Sequence, residues 1–444
     1  MLRMTAPTLA DVQALLAPRG QELLAQMPPY EESAALRVAQ RLRSAGFEPE
    51  LVAAAMTQAR LRARAREKLG DRAGRLLLTP DGVEQATRPR LAALHAARFV
   101  AAGVPGVWDL GCGIGSDAAA FADAGLAVDA VEADAATALM AAHNLELPIS
   151  QAAMDEGVFR SADGRLTVRR ARAEEVRLGD AADARGDFGV WFDPARRLPG
   201  RTDASGRTRR TFRLDQLAPS WDFVVASAGS GRAVGAKLSP GFPHAAVPPG
   251  AQAQWVSLEG EVLECALWFG PLAGTPGRTA LVLRSDAAWE VTGAHGPAPA
   301  PGSVPAAAGQ WLYDPDRAVV RAGRVDALAA ATDGAELASG AGYVVATRAV
   351  DVPWARRYRI EEVLPGSPKP VRAALRSRGI DRVTIKKRGG TVDPDVFRAA
   401  LRLPAKATGE EGVLVLTRTP RGSATLLVRP APPAAPPAAP TTRR

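Results

Sequence analysis

The chain has 444 residues, room for two or three domains with buried cores, and its 47% apolar and 23% charged residues are an ordinary globular balance. No apolar run reaches the roughly 18 residues that a membrane helix needs. Asp11, Gln13 and Pro18 interrupt any apolar stretch behind Arg3, so the N-terminus does not read as a secretory leader. With only Cys112 and Cys265, a disulfide framework, a cysteine zinc site and a three-cysteine iron–sulfur cluster are excluded, and a soluble cytoplasmic protein without a metal is expected.

The charge is unevenly spread. Residues 355–444 hold 19 basic and 7 acidic residues, a net +12, against +9 for the whole chain and therefore −3 for the rest. Arginine outnumbers lysine 50 to 6, as GC-rich coding produces. Codon bias accounts for that ratio, but not for the concentration of charge at one end, which suits a polyanionic partner.

Residues 1–103 read as a helical region. Thr8 can cap a first helix that stops before Pro28-Pro29, and further helices are expected over Glu31–Ser44, Glu48–Leu69 and Thr87–Ala102. From residue 104 to 270 strands alternate with helices. The strands are Val107–Leu110, Ala127–Val131, Leu166–Arg170, Phe188–Phe192 and Phe223–Ala226, and the helices Asp117–Ala124 and Ala135–Leu145. That alternation implies right-handed crossovers and a parallel sheet covered on both faces, an α/β, Rossmann-like fold. Trp255–Leu258 and Val262–Phe269, separated by Glu259-Gly260-Glu261, read as a hairpin. Residues 271–354 form a connecting region with a strand at Thr279–Leu283 and a helix at Val325–Ala331. Residues 355–430 form a basic α+β unit, strand-helix-strand-helix-strand-strand, and the Pro/Ala-rich residues 431–444 read as a disordered tail.

The strongest chemical signal is Asp109-Leu110-Gly111-Cys112-Gly113-Ile114-Gly115, which follows a strand and opens a helix. Glycines there let backbone approach a ligand, and the loop stands at the carboxyl edge of the sheet, where open α/β sheets bind ligands. A dinucleotide fold wants Gly-x-Gly-x-x-Gly, whereas the third glycine comes one position early here. Asp109 would repel a diphosphate and attract an ammonium. Glu132 ends the next strand, where a carboxylate can accept both hydroxyls of a ribose.

Strand, loop, helix, strand and acid in this order resemble the class I S-adenosylmethionine-dependent methyltransferases. The resemblance implies that Asp109, Gly111, Gly113 and Gly115 surround the methionine part and the ribose of S-adenosylmethionine, that Glu132 holds the ribose hydroxyls, and that Ala133 and Asp134 lie near the adenine edge. It implies an acid near the adenine amino group at Glu174, with Glu175 an equal occupant. The fourth strand ends in Asp193-Pro194-Ala195-Arg196-Arg197, where the family commonly carries Asp/Asn-Pro-Pro-Tyr/Phe in enzymes that methylate exocyclic amines. Asp193-Pro194 fits that motif and Ala195-Arg196 departs from it, losing the stacking aromatic. Asp193, Pro194 and Arg196 are the catalytic candidates, while Arg196 and Arg197 can hold a phosphate or stack on a base. A cap at the strand end is the bland alternative for Asp193.

Methylation at C5 of a pyrimidine needs a cysteine nucleophile. Cys112 lies in the cofactor loop and Cys265 in a late strand, so that reaction is not expected. The four histidines lack ligand spacing. His244, in the segment Lys237–His244 that could line the substrate side, is the one worth testing.

Residues 355–430 resemble the THUMP-like domain that follows some class I methyltransferases, with Lys386-Lys387-Arg388 at a strand end and Leu414–Arg418 beyond. THUMP domains bind RNA, so the resemblance implies an RNA partner met by those three cations and by Arg197. Three functions stay open at this point: methylation of RNA at a base nitrogen, methylation of a protein or small molecule, and RNA binding without catalysis. Oligomeric state is not legible.

Overall fold

A computed structural model describes residues 6–178, 186–196, 214–229, 231–285, 287–294, 296, 298–404 and 409–431, with backbone alone at 195–196. Arg197, His295 and the expected tail from residue 432 lie outside the described residues. Among them no helix is long and apolar enough to cross a membrane. The chain divides into two units, Met1–Leu238 with Leu267–Gly274, and Ser239–Ala266 with Thr275–Arg444.

The first unit opens with helices α1 (Leu9–Leu16), α2 (Pro18–Ala25), α3 (Ala35–Ser44), α4 (Pro49–Leu69), α5 (Pro80–Gln85) and α6 (Pro89–Ala101). Thr8 and Asp11 form a reciprocal capping box on α1. The expected single first helix is two. Ala17 is extended, with ψ 155°, as a residue before proline prefers, and Pro18 starts a second helix.

The sheet follows: β1 (Gly106–Leu110), α7 (Ser116–Asp123), β2 (Ala127–Glu132), α8 (Ala135–Asn144), α9 (Gln151–Glu156), β3 (Val158–Arg160), β4 (Leu166–Arg170), β5 (Gly189–Phe192), β6 (Ala195–Arg196), β7 (Leu217–Ala218), α10 (Trp221–Ala228) and β8 (Val234–Leu238). The order is β8-β5-β1-β2-β4-β3. Every neighbouring pair from β8 to β4 is parallel, and β3 is antiparallel to β4. All five residues of β1 and all four of β5 are buried, as a parallel sheet covered on both faces requires. Trp191 of β5 packs 4.3 Å from the His95 ring and 5.5 Å from Trp268, and Phe99 packs edge-on to Phe121 at 5.3 Å.

The expected fifth strand is a correction. Phe223–Ala226 lies inside helix α10, and the strand is Val234–Leu238. The run Phe223-Val224-Val225-Ala226 has β-like composition, but the Ser220 hydroxyl accepts the Phe223 N–H and commits the chain to a helix.

In the second unit β9 (Gln252–Leu258) and the first part of β10 (Glu261–Phe269) are joined by Glu259 and Gly260, whose φ values of +51° and +84° make the tight hairpin turn expected there. With β11 (Gly277–Arg284) and β12 (Ala287–Val291) the order is β12-β11-β9-β10. A second sheet holds β13 (Trp311–Pro315), β14 (Ala335–Glu336), β15 (Val344–Ala346), β16 (Ala355–Pro365), β17 (Ile380–Lys387), β18 (Glu410–Thr419) and β19 (Gly422–Pro430), in the order β14-β15-β13-β16-β19-β18-β17. Helices α11 (Arg317–Arg321), α12 (Val325–Thr332), α13 (Pro368–Ser377) and α14 (Pro394–Leu401) complete it. Leu375, Phe397, Leu401, Leu414 and Leu427 form one of its cores.

Replacing Ser220 by Ala removes the cap and destabilises α10 by about 1 kcal/mol, and Ser220→Gly by only a few tenths. Hydrogen exchange at the Phe223–Ser227 amides reads this directly. Unchanged protection in Ser220→Ala would place the helix-determining interaction elsewhere.

Candidate functional site

The site is assembled from loops at the carboxyl ends of β1, β2, β4 and β5 together with β8. Gly111 holds φ +92°, a left-handed conformation, and a Cβ there would meet the Asp193 carbonyl oxygen at 3.2 Å. Glycine is therefore demanded twice at this position, by its torsion and by the close passage of the chain leaving β5. Gly113 and Gly115 also have positive φ, +54° and +86°. The loop is held from below, where the Val131 carbonyl accepts the Gly111 and Cys112 amides at 2.9 and 3.0 Å. Asn144 donates to the Ile114 carbonyl at 3.0 Å and ties the loop to α8.

Glu132 reaches back to the same loop. Its carboxylate accepts the Gly113 amide at 3.1 Å and the Asp134 amide at 2.9 Å. Burial pushes its pKa up, and those backbone donors oppose the shift. Ala133 is exposed, and Asp134 caps α8 through the Thr137 amide at 2.8 Å. After β4, Ala173–Glu175 forms a short 3-10 turn in which Glu174 stands 4.0 Å from Arg172 and Glu175 accepts the Arg172 amide.

Asp109 is fully buried, and neither carboxylate oxygen has a hydrogen-bond partner among the described residues. Desolvation pushes its pKa well up, and the negative charges of Asp117 and Asp193 push it further. A buried carboxyl left in this state is a place for a cation. The Cys112 thiol is likewise buried, and burial drives its pKa well up. It is not poised as a nucleophile.

Asp193 carries a contact that sequence reading did not find. Lys237 of β8 places its Nζ 2.5 Å from Asp193 Oδ2. The same ammonium donates to the Gln85 carbonyl at 3.0 Å and to Thr87 Oγ1 at 2.9 Å. These three acceptors hold the ammonium in place beside Asp193. The Thr87 hydroxyl donates a hydrogen bond to Asp117 Oδ2 at 2.6 Å, and Asp117 meets His95 Nδ1 at 2.9 Å. That pairing lowers the pKa of Asp117, against a desolvation that raises it. The chain Asp193–Lys237–Thr87–Asp117–His95 thus joins β5, β8, the start of α6 and α7. Lys68 donates to the carbonyls of Val83 and Glu84 at 3.1 and 2.6 Å. Burial and then repulsion by Lys237 lower its pKa to about 8.

The structure therefore brings Asp109, the three loop glycines, Glu132 and Asp193 to one edge of one sheet. Pro194 follows Asp193 there, half-buried. For Arg196 only the backbone is described, in β6, where it pairs with Leu217. His95 is a buried structural partner, as its lack of ligand spacing suggests. His244, in the second unit, has both ring nitrogens engaged, by the Arg321 carbonyl and by Arg278, which gives it a structural role. A signal for Lys237 did exist in the sequence: it is one of six lysines, and it interrupts the otherwise apolar strand Val234–Leu238.

In the second unit Lys386 and Arg388 are half-buried and grip Asp314, at 2.9 and 3.0 Å, while Lys387 between them is exposed. Strand alternation separates the three, sending the first and third to one face and the second to the other.

Thr87→Val keeps the shape and strips both hydrogen bonds from a buried bridge. It costs about 2 kcal/mol, with Thr87→Ser restoring most of it. Urea unfolding followed by the fluorescence of the buried tryptophans measures this. A loss below about 0.5 kcal/mol, the scale of an ordinary surface change, would show that the bridge carries no stability.

Comparison with known proteins bears on the family and the fold. Residues 355–430 match the THUMP domain-like family model, and residues 8–65 match a domain of unknown function, DUF8688. An uncharacterized S-adenosylmethionine-dependent methyltransferase of Mycobacterium tuberculosis, in strain H37Rv and again in strain CDC 1551, is 32% identical over 374 residues, 82% of this chain and 92% of that protein. The fold matches a crystal structure provisionally named a methyltransferase, from Porphyromonas gingivalis W83, with a TM-score of 0.65 and 18% identity over 91% of this chain and 100% of that one. By its glycine loop, its acid-ended second strand and this relative, the chain belongs to the S-adenosylmethionine-dependent methyltransferase family.

Proposed function

We propose that this methyltransferase acts on RNA, at a base nitrogen, in the cytoplasm. The observation that carries the reading is the placement of Asp193, pinned by Lys237, directly over the loop that begins at Gly111. The residues fit S-adenosylmethionine. A buried, unpartnered Asp109 suits the ammonium of its methionine part, and at Gly113 a Cβ would meet nothing within 4 Å, so the loop has open space beside it. Asp109, Gly111, Gly113 and Gly115 would hold the methionine part and ribose, Glu132 the ribose hydroxyls, and Ala133 and Glu174 the adenine. When bound, S-adenosylmethionine supplies an electrophilic methyl group.

Asp193 and Pro194 position the acceptor. A fixed carboxylate and a fixed carbonyl accept amine hydrogens and turn the nitrogen lone pair toward the methyl. The Lys237 ammonium keeps Asp193 from swinging out of that geometry. Arg196 adds positive charge to the same segment for the acceptor's backbone. Arg197, the neighbouring candidate, falls outside the described residues. The RNA part of the reading is supported by the net +12 of residues 355–444 and by the THUMP domain-like match, with Lys386, Lys387 and Arg388 as contacts.

Methyl-labelled S-adenosylmethionine, incubated with total RNA from a strain lacking the gene and from its parent, tests acceptor and site together. Label enters only the deletion-strain RNA, and Asp193→Ala lowers it by about 100-fold, the scale of a misplaced reacting group. Label in neither RNA, with label in the protein or metabolite fraction, would overturn the RNA reading. Cofactor binding gives a pH test. A carboxyl whose pKa is raised must lose its proton to meet an ammonium, so affinity for S-adenosylhomocysteine falls as the pH drops through the raised value of Asp109. Calorimetric titration of Asp109→Asn loses that limb of the profile. An unchanged profile would remove Asp109 from the binding site.

A further inference from the structure

A cleft of about 520 Å³ opens within the second unit, between the β9–β10 turn, the end of β13 and strands β16 and β17. Its lining mixes acids and bases, and the two sets are not in the same state. Asp314, nearly buried, is gripped by Lys386 and Arg388. Asp316, also nearly buried, accepts the Ser257 hydroxyl at 2.6 Å and the Ala318 amide at 2.9 Å, and Arg284 stands 3.7 Å away. Glu259 accepts the Ser285 amide at 2.5 Å, and Glu261 has a partner of its own. The carboxylates are thus engaged by the protein itself.

Two guanidiniums are not. Arg317 and Arg356 line the cleft, are exposed, and have no ion-pair or hydrogen-bond partner among the described residues. Arg356 sits opposite Asp314 in the β13–β16 register, so its side chain leaves on the face that carries Asp314. Arg317 follows Asp316 at the start of α11. Asp314 meets two cations with one charge, which leaves the floor of the cleft positive beneath them. Planar forks with unused donors above a positive floor match the oxygens of a phosphate. The volume lies in the range of sites for small organic molecules, room for a phosphate together with its sugar and base.

We infer that this cleft holds a backbone phosphate of the RNA, with Arg317 and Arg356 as its ligands over the Lys386–Asp314–Arg388 floor. The assignment rests on the RNA reading above. It adds the two residues of the second unit that carry the contact, neither of them in the Lys386-Lys387-Arg388 run.

Binding of the full chain to a fluorescein-labelled single-stranded RNA oligonucleotide, followed by anisotropy across a potassium chloride series, tests it. Each lost phosphate contact lowers the slope of log affinity against log salt by about 0.7 for a single strand. Arg317→Ala/Arg356→Ala removes the one phosphate of the cleft and therefore loses about 0.7 of slope and roughly tenfold in affinity at low salt. Arg37→Ala/Arg41→Ala removes the same charge from exposed positions on α3 and keeps the wild-type slope. Undiminished binding of S-adenosylhomocysteine shows that each variant is folded. An unchanged slope in the cleft variant, with RNA still bound, overturns the cleft assignment and leaves the RNA reading standing, as does an equal loss in the α3 variant. If the wild type binds no RNA at any salt, the RNA reading fails and this assignment with it. Displacement of the RNA by adenosine monophosphate at matched phosphate concentration would give the cleft to a free nucleotide instead, against the proposal.

Discussion

The backbone carbonyl of Asp193 passes 3.2 Å from where a Cβ of Gly111 would stand, in a left-handed conformation that favours glycine, and most of the site follows from that approach. It brings the chain leaving β5 against the loop leaving β1, which is possible because the two strands are parallel neighbours with Leu110 opposite Phe192. Their side chains are buried on both faces, so neither strand can shift along the other without exposing Trp191 or Trp108. Two segments far apart in sequence are held together by the packing of their strands and by the Asp193 amide, which donates to the Leu110 carbonyl at 3.5 Å.

The electrostatics build on that frame. Asp117 and Asp193 sit close enough to the buried Asp109 to raise its proton affinity further. Lys237 balances one of them directly and a second through Thr87, and His95 balances Asp117 from the other side. Asp109 alone is left without a partner. A buried acid with no side-chain partner is costly to ionise, and in the proposed function it is the place where the ammonium of the cofactor would supply a positive charge.

Much of this was legible in the sequence, for identifiable reasons. The glycine loop and Glu132 announce themselves because their spacing is local and their backbone demands are severe. The parallel strands are readable as short apolar runs. The 355–430 elements follow from sharp alternation and clear helix starts, and they appear in the expected order. What could not be read depended on contacts at long range. Lys237 meets Asp193 across 44 positions and Thr87 across 150, and no local pattern encodes either. At Phe223–Ala226 composition and capping disagreed, and the serine at the start outweighed the β-branched residues behind it. The run Lys386-Lys387-Arg388 reads as one patch, yet the strand turns its members to opposite faces and Asp314, 72 residues away, takes two of them.

The central claim is that the unpartnered carboxyl of Asp109 and the loop-bound carboxyl of Glu132 are two ends of one cofactor site. A crystal structure of the protein with S-adenosylhomocysteine tests it most directly. The account predicts the ligand along the carboxyl edge of β1 and β2, with its ribose hydroxyls on Glu132 and its ammonium on the Asp109 side of the glycine loop. A ligand bound away from that edge, or one lying there with Asp109 still unpartnered and Glu132 turned from the ribose, would contradict it.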